Sequence, residues 1–213
     1  ISDFEVTEKM LRFFIDKINE DERNFLSRPR VVIGVPLEIT EVERKAVADA
    51  ATNAGAKEVW VVEEPMAAAI GARMPVREPV GNMIVEIGGG TSEIALISLS
   101  GVVNWKSIKI AGDELNRNIV QYARDEFNLL LGERQAEDIK IKIGSAMELS
   151  EPLQYPMRGR DLLSGLPKEV MISDAQVREA IIKSLRAIVD NVKATLETSP
   201  PELIADIHER GIL

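Results

Sequence analysis

The feature that most constrains this chain is the run Met83-Ile84-Val85-Glu86-Ile87-Gly88-Gly89-Gly90-Thr91-Ser92-Glu93. Met83-Ile84-Val85 reads as a strand. Three consecutive glycines after a strand mark a backbone that turns sharply, takes positive φ or lies close to another group. Successive free N–H groups in such a turn form a concave nest for an anion, and the hydroxyls of Thr91 and Ser92 flank it. Such a nest suits the β- and γ-phosphates of a nucleotide, and Glu86, on the strand just before, can hold a Mg²⁺ shell through water. The run is neither a GxxxxGKS/T loop nor a GxGxxG fingerprint, and the glycines alone read more simply as a hairpin turn.

What surrounds the turn narrows the fold. The spacing of Met10, Leu11, Phe13, Phe14 and Ile18 predicts an amphipathic helix from Thr7 to about Asn19. Val31-Val32-Ile33-Gly34-Val35 is a β-branched run of the kind found in buried strands. Thr40 and Glu43 form a capping box, opening a helix with Val42, Ala46, Ala50 and Ala54 on one face and Gly55 at its end. Glu58–Val62 is a second strand, and Pro65 begins a short alanine-rich helix. This strand–helix–strand–helix order predicts an α/β class. After the glycines, 94–99 and 102–108 read as a hairpin turning at Ser100-Gly101. Helices are expected from Asp113 to about Leu130 and from Glu133 to about Ser145, then short strands and loops over 148–172. Asp174 is expected to cap a long helix with the stripe Val177, Ile181, Leu185, Ile188, Val192 and Leu196. Pro200-Pro201 breaks it, and a last helix runs from Glu202 to Glu209.

Composition removes whole classes of chemistry. The chain has 213 residues, a formal net charge of −9, no cysteine and one histidine, His208. Disulfides, thiolate catalysis and cysteine-ligated zinc are excluded, as are multi-histidine metal sites, and the acidic balance argues against a nucleic-acid partner. No apolar run approaches the ~20 residues of a membrane-spanning helix. Both ends read as cut rather than finished.

The order of these motifs resembles the actin and DnaK-chaperone superfamily, and most closely the bacterial actin-like MreB proteins. Carrying the resemblance, besides the glycine turn, are Asp3–Thr7, Arg30–Pro36, Ile39–Arg44, Glu63-Glu64-Pro65-Met66-Ala67-Ala68-Ala69-Ile70-Gly71, Gly81–Val85, Ala111-Gly112-Asp113-Glu114, Gly132-Glu133-Arg134 and Pro200-Pro201-Glu202-Leu203. They run the whole length of the chain. The resemblance implies an incomplete actin-like ATPase fold of ribonuclease H-like lobes. Residues 1–74 would form part of the first lobe, 75–114 with 179–213 part of the second, and 115–178 a small inserted α+β subdomain.

The same resemblance implies ATP or ADP with Mg²⁺ as cofactors, gripped by Glu86 through water, Gly88, Gly89, Gly90 and Thr91. Glu64 would orient or activate the water that attacks the γ-phosphate, with Thr91 assisting, since positioning that water is the protein's main task in phosphoryl transfer. On the residues alone, Glu63 and Glu64 equally read as acids at a helix N-terminus. Gly112, Asp113 and Glu114 would lie near the ribose and base. Glu137 and Lys140 would touch ribose or adenine, with an ion pair between them as the alternative. Phe25 and Leu26, in a loop with Arg23, Arg28 and Arg30, would contact anionic lipid on the inner membrane face. Expected partners are further copies in paired head-to-tail filaments, membrane lipid, and cell-wall synthesis and shape proteins. A slow ATPase guiding wall synthesis and rod shape follows. The competing classes are a sugar-kinase-like enzyme and a chaperone-like ATPase.

Two departures bear on these expectations. The resemblance places an aspartate where Glu86 stands, and the extra methylene moves the charge by about 1.5 Å. The resemblance also places a first phosphate-binding hairpin before Ile1 and a glycine-rich adenine-side motif after Leu213. The chain as it stands is therefore expected to bind ATP poorly.

Overall fold

A computed structural model describes residues 4–21 and 28–213. They group into two compact units: Ile1–Ile84 with Ala95–Trp105 and Ala205–Leu213, and Val85–Ile94 with Lys106–Ile204.

In the first unit, α1 (Phe4–Asp21) is followed by β1 (Arg30–Val35), α2 (Glu41–Asn53), β2 (Glu58–Glu63) and α3 (Glu64–Gly71). β1 and β2 pair in parallel, with Val32 opposite Trp60 and Val35 opposite Glu63. Period-two alternation decides which side is covered. Val31 and Val59 turn inward onto Ile15, Ala54 and Ala56, while Val32 and Trp60 are exposed at 67% and 47%. α1 is longer than its periodicity implied and uses a different stripe. Ile15 is buried, whereas Met10, Phe13, Phe14 and Ile18 stay outside, because the helix meets its neighbours through Leu11 and Ile15. On α2 the Thr40–Glu43 capping box forms as the sequence indicated. Ala50, Ala51 and Ala54 are buried, and Val42 points out. A second core gathers Met66, Ala69, Val76, Ile84, Ala95 and Ile97.

β3 (Asn82–Ile87), β4 (Ser92–Ser98) and β5 (Gly101–Ile108) form a sheet in that order. Every residue of the central β4 is buried. The hairpin turns one residue earlier than its sequence indicated. Leu99 and Ser100 take φ of 50° and 62°, the two left-handed centres that a two-residue turn needs to match strand twist. The pull of two paired strands outweighs the cost of left-handed backbone at a leucine.

In the second unit, α4 (Gly112–Phe127) stops where Asn128 takes a left-handed C-cap. Leu129-Leu130, expected as helix, is β6, drawn into pairing with β7 (Gln154–Asp161). α5 (Glu133–Ile143) follows, and β7 pairs antiparallel with β8 (Pro167–Ser173). α6 (Asp174–Glu197) is capped by Ser173 and Gln176 rather than by Asp174. The Asp174 carboxylate is taken instead by the Leu153 N–H at 3.0 Å and by Arg178 at 3.2 Å. The α6 stripe packs as its period predicts, with Val177 and Ile181 joining Ile119, Leu129, Ile139, Met157 and Ile172 in one core. α7 (Pro201–Arg210) closes the chain.

Candidate functional site

The glycine turn is built against the start of α4. Inside the turn, the Gly88 N–H donates to the Thr91 carbonyl at 2.9 Å. A helix leaves its first N–H groups without partners, and Ala111 at the N-cap offers no side-chain oxygen. The turn supplies the acceptors. The N–H groups of Gly112 and Asp113 donate to the carbonyls of Gly88 and Gly89 at 3.0 and 2.8 Å. Gly112 makes this a close fit, because a Cβ would lie 3.2 Å from the Gly88 oxygen and 3.3 Å from Lys140 Nζ. The Ser92 hydroxyl fastens the other side of the turn, donating to the Ile110 carbonyl at 2.6 Å.

This arrangement leaves the N–H groups of Gly89 and Gly90 exposed and without partners in the protein among the described residues. They can donate to an anion. The Asp113 carboxylate lies over the same turn, 3.7 and 3.8 Å from the point where a Gly89 Cβ would stand. Glu86 stands next to the end of β3, with its Oε2 buried and lacking a hydrogen-bond partner among the described residues. A buried carboxylate oxygen without a donor is costly, and hydrogen-bond donors such as metal-bound waters would satisfy it. Among the described residues no cluster of three or more acidic or histidine side chains could enclose a metal. One carboxylate acting through water is what Mg²⁺ accepts, since it keeps most of its own hydration shell.

Lys140 is placed by the fold in a way its sequence neighbours did not disclose. Its ammonium donates to the Gly112 carbonyl at 3.0 Å, and the ion pairs of the described residues do not join it to Glu137, which is exposed. Glu114 turns along α4 and accepts from Arg117 at 2.9 and 2.7 Å and from Asn118 at 3.1 Å. The Arg117 guanidinium holds its carboxyl below the usual range. Glu93, on β4, is buried at 2% exposure, a charged position that the reading of the sequence did not single out.

In the first unit, Glu63 and Glu64 end β2 and open α3. Glu63 makes no side-chain cap; its carboxylate pairs with Arg44 of α2 at 3.0 Å. Glu64 passes over Gly34 of β1 so closely that a Cβ there would stand 3.0 Å from its Cγ. The signal for this contact was present in the chain, since a glycine inside a β-branched strand marks a close approach. Phe25 and Leu26 lie outside the described residues.

A family model described as MreB/Mbl protein matches residues 1–213. The chain is a member of the MreB/Mbl family. Among its relatives, the cell shape-determining protein Mbl of Bacillus subtilis (strain 168) is 47% identical over 213 residues, covering 100% of this chain and 63% of that protein. The cell shape-determining protein MreB of Escherichia coli (strain K12) is 46% identical over 214 residues, covering 61% of its length. The structure of Spiroplasma citri MreB5 bound to ADP matches with a TM-score of 0.94 at 36% identity, over all of this chain and 63% of that one. The AMPPNP-bound form of the same MreB gives 0.91. A MamK double helical filament matches at 0.76 and 20% identity, which speaks to the fold alone. The actin-like fold expected from the sequence is the fold of this MreB/Mbl chain, which covers part of it. Membership favours the cell-shape class over the sugar-kinase-like and chaperone-like classes.

Proposed function

We propose that this chain is the nucleotide-gripping part of a filament-forming ATPase that guides wall synthesis and cell shape on the inner membrane face. One observation carries the nucleotide reading: the buried, unpartnered Oε2 of Glu86 stands just before two glycines whose amides are free. In this reading Gly89 and Gly90 donate to phosphate oxygens, and Glu86 accepts hydrogen bonds from the waters of Mg²⁺, which would neutralise phosphate charge. Asp113 and Lys140 frame the turn, Lys140 by holding the Gly112 carbonyl. Glu137 and Glu114 lie on the same helical pair and would face the sugar. Glu64, with Thr91, would position the attacking water. The binding of ADP and AMPPNP by a relative of the same fold supports a nucleotide in this family.

The segments 1–74, 75–114 with 179–213, and 115–178 would be a first lobe, a second lobe and an inserted subdomain. Because the chain covers 63% of its Mbl relative, filament growth, membrane attachment through Phe25 and Leu26, and contact with wall-synthesis proteins belong to the full-length protein. Sedimentation of the full-length protein with and without ATP and anionic liposomes tests the proposal. ATP-dependent polymers are expected. Phe25→Ser with Leu26→Ser should abolish liposome co-pelleting, and Glu64→Ala should abolish phosphate release. The absence of any ATP-dependent polymer would refute the reading.

A further inference from the structure

Arg44, on the first turn of α2, reaches across to the strand end that carries Glu64. Its Nη2 donates to Glu63 Oε1 at 3.0 Å, and the two side chains are 30% and 36% exposed. The capping box fixes where Arg44 stands. The Thr40 hydroxyl accepts the Glu43 N–H at 3.2 Å, and Thr40 donates its own N–H and hydroxyl to Glu43 Oε2 at 2.9 and 2.7 Å. The Arg44 N–H donates to the Thr40 carbonyl at 2.9 Å. The helix is therefore ordered from its first residue. With Glu43 Oε2 engaged at the cap, the Arg44 guanidinium pairs across to the end of β2.

The junction that Arg44 meets has few of the usual restraints. The β1–β2 ladder ends at the pair Val35–Glu63, and Pro36 beyond it has no N–H to extend the ladder. α3 opens with no side-chain cap, and Pro65 brings no N–H either. Left to itself, the Glu63 carboxylate is drawn to the first amides and the positive end of α3. Arg44 draws it the other way, toward α2, and so helps to hold Glu63 at φ −64° and ψ 132°, the residue from which Glu64 departs. The pair also separates two acids that look alike in the chain. Glu63 has its charge matched by Arg44, while Glu64 passes over Gly34. An ion pair this exposed adds little to stability; what it supplies is placement.

We propose that Arg44 is a positioning residue for phosphate release: through Glu63 it sets the direction from which Glu64 meets the attacking water. The inference rests on the reading of Glu64 given above and adds the group that aims it. In the full-length protein, Arg44→Met should lower phosphate release at saturating ATP about tenfold, because a carboxylate misplaced by up to about 1 Å costs on the order of ten- to a hundredfold. Affinity for a fluorescent ATP analogue and the amount of protein pelleted with ATP should stay at wild-type values, and the melting temperature within about 3 °C. A fall in kcat with binding intact is what the loss of a transition-state contact leaves. Glu63→Gln, which keeps the shape and removes the charge, should give the same fall. The double variant should be no slower than either single one. Because the contact runs through one nitrogen, Arg44→Lys should recover most of the lost rate. If Arg44→Met and Glu63→Gln release phosphate at the wild-type rate while Glu64→Ala releases none, Arg44 positions nothing and the reading of Glu64 stands. If nucleotide affinity or melting temperature falls with the rate in both variants, the pair is structural; if the double variant loses the product of the two falls, the residues act independently. Either result overturns the proposal. If Glu64→Ala itself releases phosphate at the wild-type rate, the reading of Glu64 fails and this inference fails with it.

Discussion

Replacing Gly34 with alanine tests whether Glu64 is held for catalysis by the bare backbone beneath it. The added Cβ would stand 3.0 Å from Glu64 Cγ, with Oε1 and Cδ at 3.8 and 3.9 Å. Ordinary carbon contacts begin near 3.5 Å, so the carboxylate must lift by about half an ångström or change rotamer. Gly34 is not among the residues with positive φ, and alanine meets no backbone strain there. Reduced freedom of the unfolded chain contributes roughly 0.4–1 kcal/mol toward stability, offsetting part of the contact cost. The net change should stay within about 1 kcal/mol, or roughly 2–4 °C in melting temperature for a chain of this size. Activity should respond more. A misplacement of about 1 Å costs on the order of a hundredfold, so half of that implies on the order of tenfold. The assay is phosphate release by the full-length protein at saturating ATP, beside Glu64→Ala and the double variant. The double variant should match Glu64→Ala alone, because the glycine acts only through the glutamate. Gly34→Ala releasing phosphate at the wild-type rate, while Glu64→Ala releases none, would refute the reasoning. So would a melting temperature lowered by ten degrees, which would make the contact structural.

Glu86→Gln should weaken the Mg²⁺ dependence of nucleotide affinity without lowering thermal stability, measured by titration at several Mg²⁺ concentrations; an unchanged dependence would exclude Glu86 from the metal's surroundings. Gly159→Ala should destabilise by about 2–4 kcal/mol, since its Cβ would collide with the Leu130 carbonyl oxygen and lie 3.0 Å from Leu129 Cγ; calorimetry would show a melting temperature at least about five degrees lower. Tyr122 is pushed up to about 12, first by desolvation and then by its hydrogen bond to Glu179. Its folded value exceeds the unfolded one near 10, so its contribution is present below that pH and is lost as pH rises toward 12. Phenolate absorbance should therefore show one of the two tyrosines titrating late, and Tyr122→Phe should flatten the alkaline fall in stability.

How much of the molecule was legible in the chain depended on the distance over which each decision was made. The Thr40–Glu43 capping box needs only a hydroxyl and a carboxylate three residues apart, and it formed as read. The α6 stripe is set by helical period and packed accordingly. The glycine triplet announced a turn with spare amides, although none of the three glycines takes a positive φ. The acid just before it, Glu86, was legible by position, whereas its orphaned oxygen was not, since burial depends on what packs around it.

Decisions involving remote partners were settled only by the tertiary structure. Asp174 looked like a cap and lost that place to Ser173, because the Leu153 amide, 21 residues away, takes its carboxylate. Lys140 could have paired along its own helix and reaches the Gly112 carbonyl instead. Leu129 and Leu130 carry a helical pattern, yet Asn128 ends the helix and β7 draws them into a sheet. The sequence by itself determined the family, most of the element order and the place of the glycine turn, all of which are written in neighbouring residues. The tertiary structure decided which polar groups found partners and which apolar ones stayed outside, since both depend on segments far apart in the chain meeting in space.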